Sequence, residues 1–167
     1  MSQLKVNSIV PAGGLVGDGG GIIQIVQTVK RDAFTSSASS YTDITGLSAS
    51  ITPSSTSNKV LICFNIGAHD ANAAAILLYQ ITRGGSVISD AISNISGYVQ
   101  GTIAGTINAD RGEGMSMTYL DSPSTTSSTT YQIQGYANGS NTLSVNYRQG
   151  TTGLSAISTI ILMEISG

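Results

Sequence analysis

Charge is scarce in this chain. Only 10% of its 167 residues are charged, 7 basic and 9 acidic, for a net charge of −2, where a typical soluble domain carries about 25%. Nucleic-acid binding needs a clustered positive footprint, and seven cations scattered from Lys5 to Arg148 do not form one. Cysteine is nearly absent too. Cys63 stands alone, so an intrachain disulfide is excluded, and its setting, Val60-Leu61-Ile62-Cys63-Phe64, predicts a buried small hydrophobe rather than a reactive thiolate. No stretch approaches the 18 or so consecutive apolar residues of a membrane span. Met1 to Val10 holds no apolar run of signal-peptide length, so the expected setting is a cytoplasm.

The same scarcity empties the chemical inventory. His69 is the only histidine, and a triad, a histidine general base or a histidine metal site would have to be built around it. One cysteine and one histidine do not furnish a zinc site within one chain; only a site on a symmetry axis, with His69 repeated, would be left. Asp110-Arg111-Gly112-Glu113 is the densest acidic cluster, and its arginine points to an ion pair rather than to calcium. No two carboxyls are marked out as a glycosidase pair. The glycines of 13–21 precede a strand, which is the wrong context for a phosphate or dinucleotide loop. The expectation is a protein without enzymatic activity and without a cofactor or metal.

Hydroxyls, glycine and β-branched residues fill the space that charge leaves: 25 Ser, 18 Thr and 20 Gly. The low net charge and abundant Ile, Val and Thr argue against disorder. A surface of hydroxyls and amides gives little protection against self-association, which suits packing against copies of itself or a partner; a plain soluble β domain is the simpler alternative. The sequons Asn94-Ile95-Ser96 and Asn138-Gly139-Ser140 are expected by chance in so serine-rich a chain.

Residues 1–21 read as a separate piece. Leu4, Val6, Ile9 and Val10 are a large apolar load on a short extended segment, followed by Pro11 and six glycines between Gly13 and Gly21. Glycine at that density makes a flexible connector, so residues 1–21 are expected to be an anchoring arm that docks elsewhere, for example by adding a strand to a neighbour's sheet. A frayed terminus is the alternative.

Residues 22–167 are expected to form one β-sandwich head. Side chains alternate with period two, with no convincing helix. Ile23, Ile25 and Val29 share a face in Ile22–Val29. Short strands follow over Tyr41–Ile44 and Ser48–Thr52, separated by Gly46, and then a turn over Pro53–Asn58. Lys59–Ala68 is apolar on both faces and is expected at the centre of its sheet. Ala74–Arg83 comes next, its alanine-rich lead-in open to a helical reading, and Gly84-Gly85 turns it back. Residues 90–113 are the least legible part. Met115, Met117 and Tyr119 alternate, as do Tyr131, Ile133 and Gly135. Asn138-Gly139 predicts a hairpin onto Leu143, Val145 and Tyr147. Ile157, Thr159, Ile161, Met163 and Ile165 share a face of the last strand, which is expected to pair with the first as a central neighbour. About 8–10 strands in this pattern predict an all-β, jelly-roll-type antiparallel sandwich.

Several phrases carry a resemblance: Gly21-Ile22-Ile23-Gln24-Ile25-Val26-Gln27-Thr28-Val29-Lys30; Tyr41-Thr42-Asp43-Ile44-Thr45-Gly46-Leu47-Ser48; Ile51-Thr52-Pro53-Ser54-Ser55-Thr56-Ser57-Asn58-Lys59-Val60; Tyr119-Leu120-Asp121-Ser122-Pro123; and Ile160-Ile161-Leu162-Met163-Glu164-Ile165. In this order, with the opening Leu4-Lys5-Val6-Asn7-Ser8-Ile9, they resemble small virion structural proteins of tailed phages, especially those of marine cyanobacteria. Residues 66–113 lie outside the resemblance. It implies a jelly-roll homotrimer similar in shape to tumour-necrosis-factor-like heads, located in the virion, assembled in the host cytoplasm and partnered by capsid shell or tail. A capsid decoration protein fits a short chain with an arm and no shaft. The alternative is a tail-fibre or receptor-binding tip that reads a host-surface glycan through loops 66–73 and 90–113, with Tyr98 as a stacking platform.

Overall fold

The computed structural model describes residues 21–71, 75–88, 102–107, 113–139, 141–147 and 156–167, with backbone alone for 68–71, 75, 102–107 and 113. All its elements are strands: β1 (Ile22–Lys30), β2 (Phe34–Ser36), β3 (Thr42–Ile51), β4 (Lys59–Ala71), β5 (Ala75–Arg83), β6 (Ser86–Val87), β7 (Thr102–Ile107), β8 (Glu113–Asp121), β9 (Thr129–Ala137), β10 (Leu143–Val145) and β11 (Ser158–Ile165). That is eleven where about 8–10 were expected. Three of them, β2, β6 and β10, have three residues or fewer.

The pairing gives the topology. β1 pairs with β11, β11 with β4, and β4 with β8, while the short β10 continues beside β4 beyond β11 and carries β2 on its other edge. This first sheet is therefore four positions wide. The second runs β3, β9, β5, with β7 and β6 sharing the far edge of β5. Counting β1 with β2, β6 with β7 and β10 with β11 leaves eight positions, of which the first pairs with the last, the second with the seventh, the third with the sixth and the fourth with the fifth. That nested antiparallel wrapping is a jelly roll, as predicted.

The core lies between the sheets. Val26, Leu162, Ile62 and Tyr119 form one inward row across β1, β11, β4 and β8, and Thr28, Ile160, Phe64 and Met117 form the next. Against them pack Ile44, Leu47, Ala49 and Ile51 of β3, Leu77, Tyr79 and Ile81 of β5, and Tyr131, Ile133 and Ala137 of β9. Gly135 is needed in that row, because an added Cβ would sit 2.5 Å from Leu143 Cδ2.

Four expectations need correcting. Tyr41–Ile44 and Ser48–Thr52 are one strand, β3, interrupted by a bulge between Asp43 and Ser48 in which Gly46 takes φ +80°. The Gln132 amide donates across it to the carbonyls of Ile44 (3.0 Å) and Leu47 (3.2 Å), satisfying groups that the bulge takes out of the ladder. Asn138-Gly139 does not close a hairpin: β9 pairs in the second sheet and β10 in the first. Asn138 instead grips β5, accepting from Ile76 N–H at 2.7 Å through its side chain, and the chain crosses between sheets. Beyond it Leu143, Ser144, Val145 and Asn146 are all buried and Tyr147 is exposed, so the expected alternation fails where Asn146 adopts φ 57°. Third, β1 pairs with β11 as expected but, among the described residues, lies at the sheet edge. Fourth, Ala71 and Ala75 are in strands, which removes the helical reading there; residues 72–74 lie outside the described set.

Candidate interaction face and its polar framework

At one end of the sandwich the inward row of the first sheet is polar. Gln24 faces Glu164, Glu164 faces Val60, and Val60 faces Asp121, so two carboxylates sit in one row across four strands. Both are buried, and ions are held in such places only when hydrogen-bonded. The β3–β4 turn supplies donors to the first: Ser54 N–H and hydroxyl, each at 2.7 Å, and the Asn58 amide all reach Glu164 Oε1. The Gln24 amide donates to Oε2 and also to Thr52 O at 2.8 Å. Burial alone would raise the Glu164 pKa, but these donors outweigh it and bring the carboxyl down to about 2.

Asp121 is held from the second sheet. Arg83 Nη1 lies 2.9 and 2.8 Å from its two oxygens, and Tyr131 OH donates to Oδ2 at 2.7 Å. Burial, together with this carboxylate, pushes the Tyr131 phenol well above its ordinary range. Shallow open depressions of about 330 and 420 Å³ flank Arg83, but Nη1 is engaged by Asp121 and Ser122 O.

The other end of the first sheet is polar as well. Lys30 is buried and ion-paired to the exposed Asp32 at 2.9 Å, and that hydrogen bond holds Asp32 below the usual carboxylate range. The buried Ser158 hydroxyl donates to Asn146 Oδ1 at 2.7 Å and accepts from Gly67 N–H at 3.1 Å, while the Asn146 amide reaches Lys30 O at 3.0 Å. These groups tie β10 and β11 to β1 and β4. Among the described residues no group of three or more His, Cys, Asp or Glu is placed to hold a metal ion.

The outward face of the first sheet has the opposite character. Ile25, Met163, Leu61 and Leu120 form a row across β1, β11, β4 and β8. The next row is Gln27, Ile161, Cys63 and Thr118, and the third is Val29, Thr159, Asn65 and Ser116. Ile165 and the bulged start of β1, Ile22 and Ile23, extend the apolar end. Ile25 is 59% exposed and Leu120 and Ile157 49% each, so these are true surface residues. Ile23, Ile25 and Val29, and likewise Ile157 to Ile165, do share a face as the alternation predicted; it is the outer one. Cys63 is partly exposed on this face, contrary to the expectation of burial, with the Thr118 hydroxyl 3.8 Å from its Sγ.

The second sheet wears a different coat. Its outward rows are Ser48, Gln132 and Thr82, then Asp43, Gln134 and Gln80. They are joined across strands: Ser50 to Thr130 at 2.7 Å, Gln134 to Asp43 at 2.7 Å, and Gln80 to Gln134.

Of the residues singled out in the sequence, Leu4, Val6, Ile9, Val10, Tyr98 and Asp110-Arg111-Gly112 lie outside the described residues. His69 is described by its backbone alone, opposite Glu113 and Val145. Sequence reasoning missed Glu164, Asp121, Lys30 and Ser158 as framework residues. The available signal was polar side chains at inward positions of otherwise apolar strands.

No protein-family model matches this sequence, and no curated protein matches it. Solved structures give distant likenesses. The structure of infectious bursal disease virus, Gx strain, aligns over 98% of this chain and 43% of that chain at 14% identity and a TM-score of 0.45. The VP2 subviral particle of infectious bursal disease virus aligns over 98% and 42% at 11% identity and a TM-score of 0.47. This chain spans less than half the length of either. Scores below 0.5 do not establish a shared fold, and the jelly-roll assignment stands on the strand pairing itself.

Proposed function

We propose that this chain is a non-catalytic structural component of a virus particle. Residues 22–167 form a jelly-roll head that assembles as a homotrimer. Residues 1–21, with Leu4, Val6, Ile9 and Val10 as the apolar grip, anchor it to the particle, in the manner of a capsid decoration protein on the shell surface. The observation that carries this reading is the outer face of the first sheet, an apolar surface suited to permanent company. The phrases that resemble phage virion proteins support it from another side. Gln24, Thr52, Ser54, Asn58, Asp121 and Glu164 all come from them and form the polar framework at one end of the sandwich, so the resemblance falls on residues that hold the fold.

Particles purified from the native source and analysed by quantitative mass spectrometry test the reading. The chain is expected in many copies per particle, and deletion of residues 1–20 is expected to abolish incorporation. Absence from the particles overturns the proposal. A handful of copies would move the head to the tail, where a glycan-reading tip becomes the better description.

A further inference from the structure

We infer that the outward face of β1, β11, β4 and β8 is the surface by which copies of this chain bind one another, with the row Ile25, Met163, Leu61 and Leu120 at its centre. The inference deepens the assembly reading by naming its contact surface. Size is the first argument. Four strands about 4.8 Å apart and nine residues at about 3.3 Å each give a footprint on the order of 600 Å², before side-chain relief is counted. That approaches one side of a standard interface, about 800 Å² per partner, and lies at the top of the range of patches that monomers leave exposed.

Charge selects the occupant. The three outward rows named above hold no Asp, Glu, Lys, Arg or His, and Lys59 stands at the margin opposite Ile165. Contact about a symmetry axis brings the residues close to that axis near their own copies, where a charge would meet its like. A face without charges meets no such penalty, whereas a different protein partner is ordinarily selected by complementary charge. Polarity is also graded along the strands, from wholly aliphatic at the Ile25 row to hydroxyl and amide at Thr159, Asn65 and Ser116, as in an apolar core that gives way to a rim. The edges agree. β3 is interrupted by its bulge and carries Asp43, whereas β1 from Gln24 to Val29 has neither charge nor proline to blunt it.

The test uses the full chain, velocity sedimentation and the reaction of Cys63 with a maleimide. The wild type is expected to sediment as one oligomer at micromolar concentration, with Cys63 shielded about tenfold relative to the unfolded chain and the shielding lost on dilution. Leu61→Asp is expected to be monomeric, with an unchanged β-type far-ultraviolet spectrum and a reactive Cys63. Thr130→Asp, on the outer face of the second sheet, is expected to leave the oligomer intact. A wild-type monomer, an oligomer with freely reacting Cys63, or a folded Leu61→Asp that stays assembled would each overturn the inference. A monomer with shielded Cys63 would give the face to the chain's own residues 1–20 and overturn it equally. The dilution series needs no variant, so misfolding of Leu61→Asp leaves the test in force. A chain found in particles yet monomeric would remove this interface and leave the virion role; an oligomer absent from particles would do the reverse.

Discussion

The two outer faces of this sandwich belong to sheets of equal width, yet they are dressed oppositely. On the second sheet, hydroxyls and amides bond to one another across β3, β9 and β5. On the first, aliphatic side chains line up across four strands in the Ile25 row and give way to uncharged polar groups toward Thr159, Asn65 and Ser116, while ionisable groups sit in the inward rows at the two ends, Glu164 and Asp121 at one and Lys30 at the other. Along β11 the usual sense of inside and outside is partly reversed: Ser158 and Glu164 point in, while Ile161, Met163 and Ile165 point out. Along β3 and at Thr130 the second sheet's polar groups are exposed to water, while Gln80 and Thr82 of β5 are buried and rely on their bonds across the strands. The difference teaches that low overall charge has separate consequences here, a self-bonded polar coat of hydroxyls and amides on one sheet and an adhesive face on the other.

The contrast is tested hardest at the inward carboxylate. Glu164→Ala leaves the donors of Ser54, Asn58 and Gln24 without their acceptor in a buried site, and a loss of about 3–5 kcal/mol is expected, because each stranded buried donor costs about 1–3 kcal/mol. Chemical denaturation measures it. A loss below about 1 kcal/mol would mean that the inward polar row is solvated and that the reversal of faces is only nominal.

Neighbours on one strand sharpen it next. Ile62 is buried in the core and Leu61, beside it, lies on the outer face. Ile62→Ala is expected to cost about 2–5 kcal/mol at any protein concentration, from lost transfer energy plus a cavity. Leu61→Ala is expected to cost under about 1 kcal/mol in dilute protein and to weaken association instead. Denaturation midpoints at two protein concentrations separate them.

These same residues show what the sequence made legible. The central place of β4, the pairing of β1 with β11 and the turn at Gly84-Gly85 all follow from alternation and turn chemistry. Alternation says which residues share a face; it does not say which face is inside when both are apolar. On β11 the outward set, Thr159, Ile161, Met163 and Ile165, is more hydrophobic than the inward Ser158, Ile160, Leu162 and Glu164, so hydrophobicity alone would turn the strand over. Asn138-Gly139 has the local chemistry of a hairpin, but Ile76 competes for Asn138, and the pairing of β10 with β2 and β4 takes the chain to the other sheet. Ser54 and Asn58 were legible as turn residues. Their service to Glu164, more than a hundred residues away in sequence, depends on a register that only the folded sheets reveal.

Acid gives a smaller effect with a definite sign. The folded Glu164 carboxyl titrates at about 2 against an ordinary value of 4.5, so the folded state favours the ionised form. Its contribution to stability is complete above pH 4.5 and is lost as pH falls through about 2. Thermal melting is expected to decline over that window. Glu164→Gln, already less stable at neutral pH, is expected to decline less steeply. Equal slopes for the two proteins would show that Gln24, Ser54 and Asn58 do not hold an ionised group.

The smallest effect comes from one substitution placed on each outer face. Thr118→Val and Thr130→Val exchange a hydroxyl for a methyl at nearly constant volume. Thr130 loses its bond to Ser50, but that pair is exposed and water replaces it, so the stability change stays within about 0.5 kcal/mol. Thr118 loses only the weak contact with Cys63 Sγ, and its stability changes as little. The difference lies in association. On the proposed interface the new methyl leaves water when copies meet, a gain of about 0.8 kcal/mol at full burial, which tightens the dissociation constant by up to about fourfold per contact. On the second sheet the same methyl stays in water and changes nothing. If sedimentation found equal dissociation constants for the two variants, the outer faces would be equivalent toward other copies of the chain, and their opposite dress would need a different explanation.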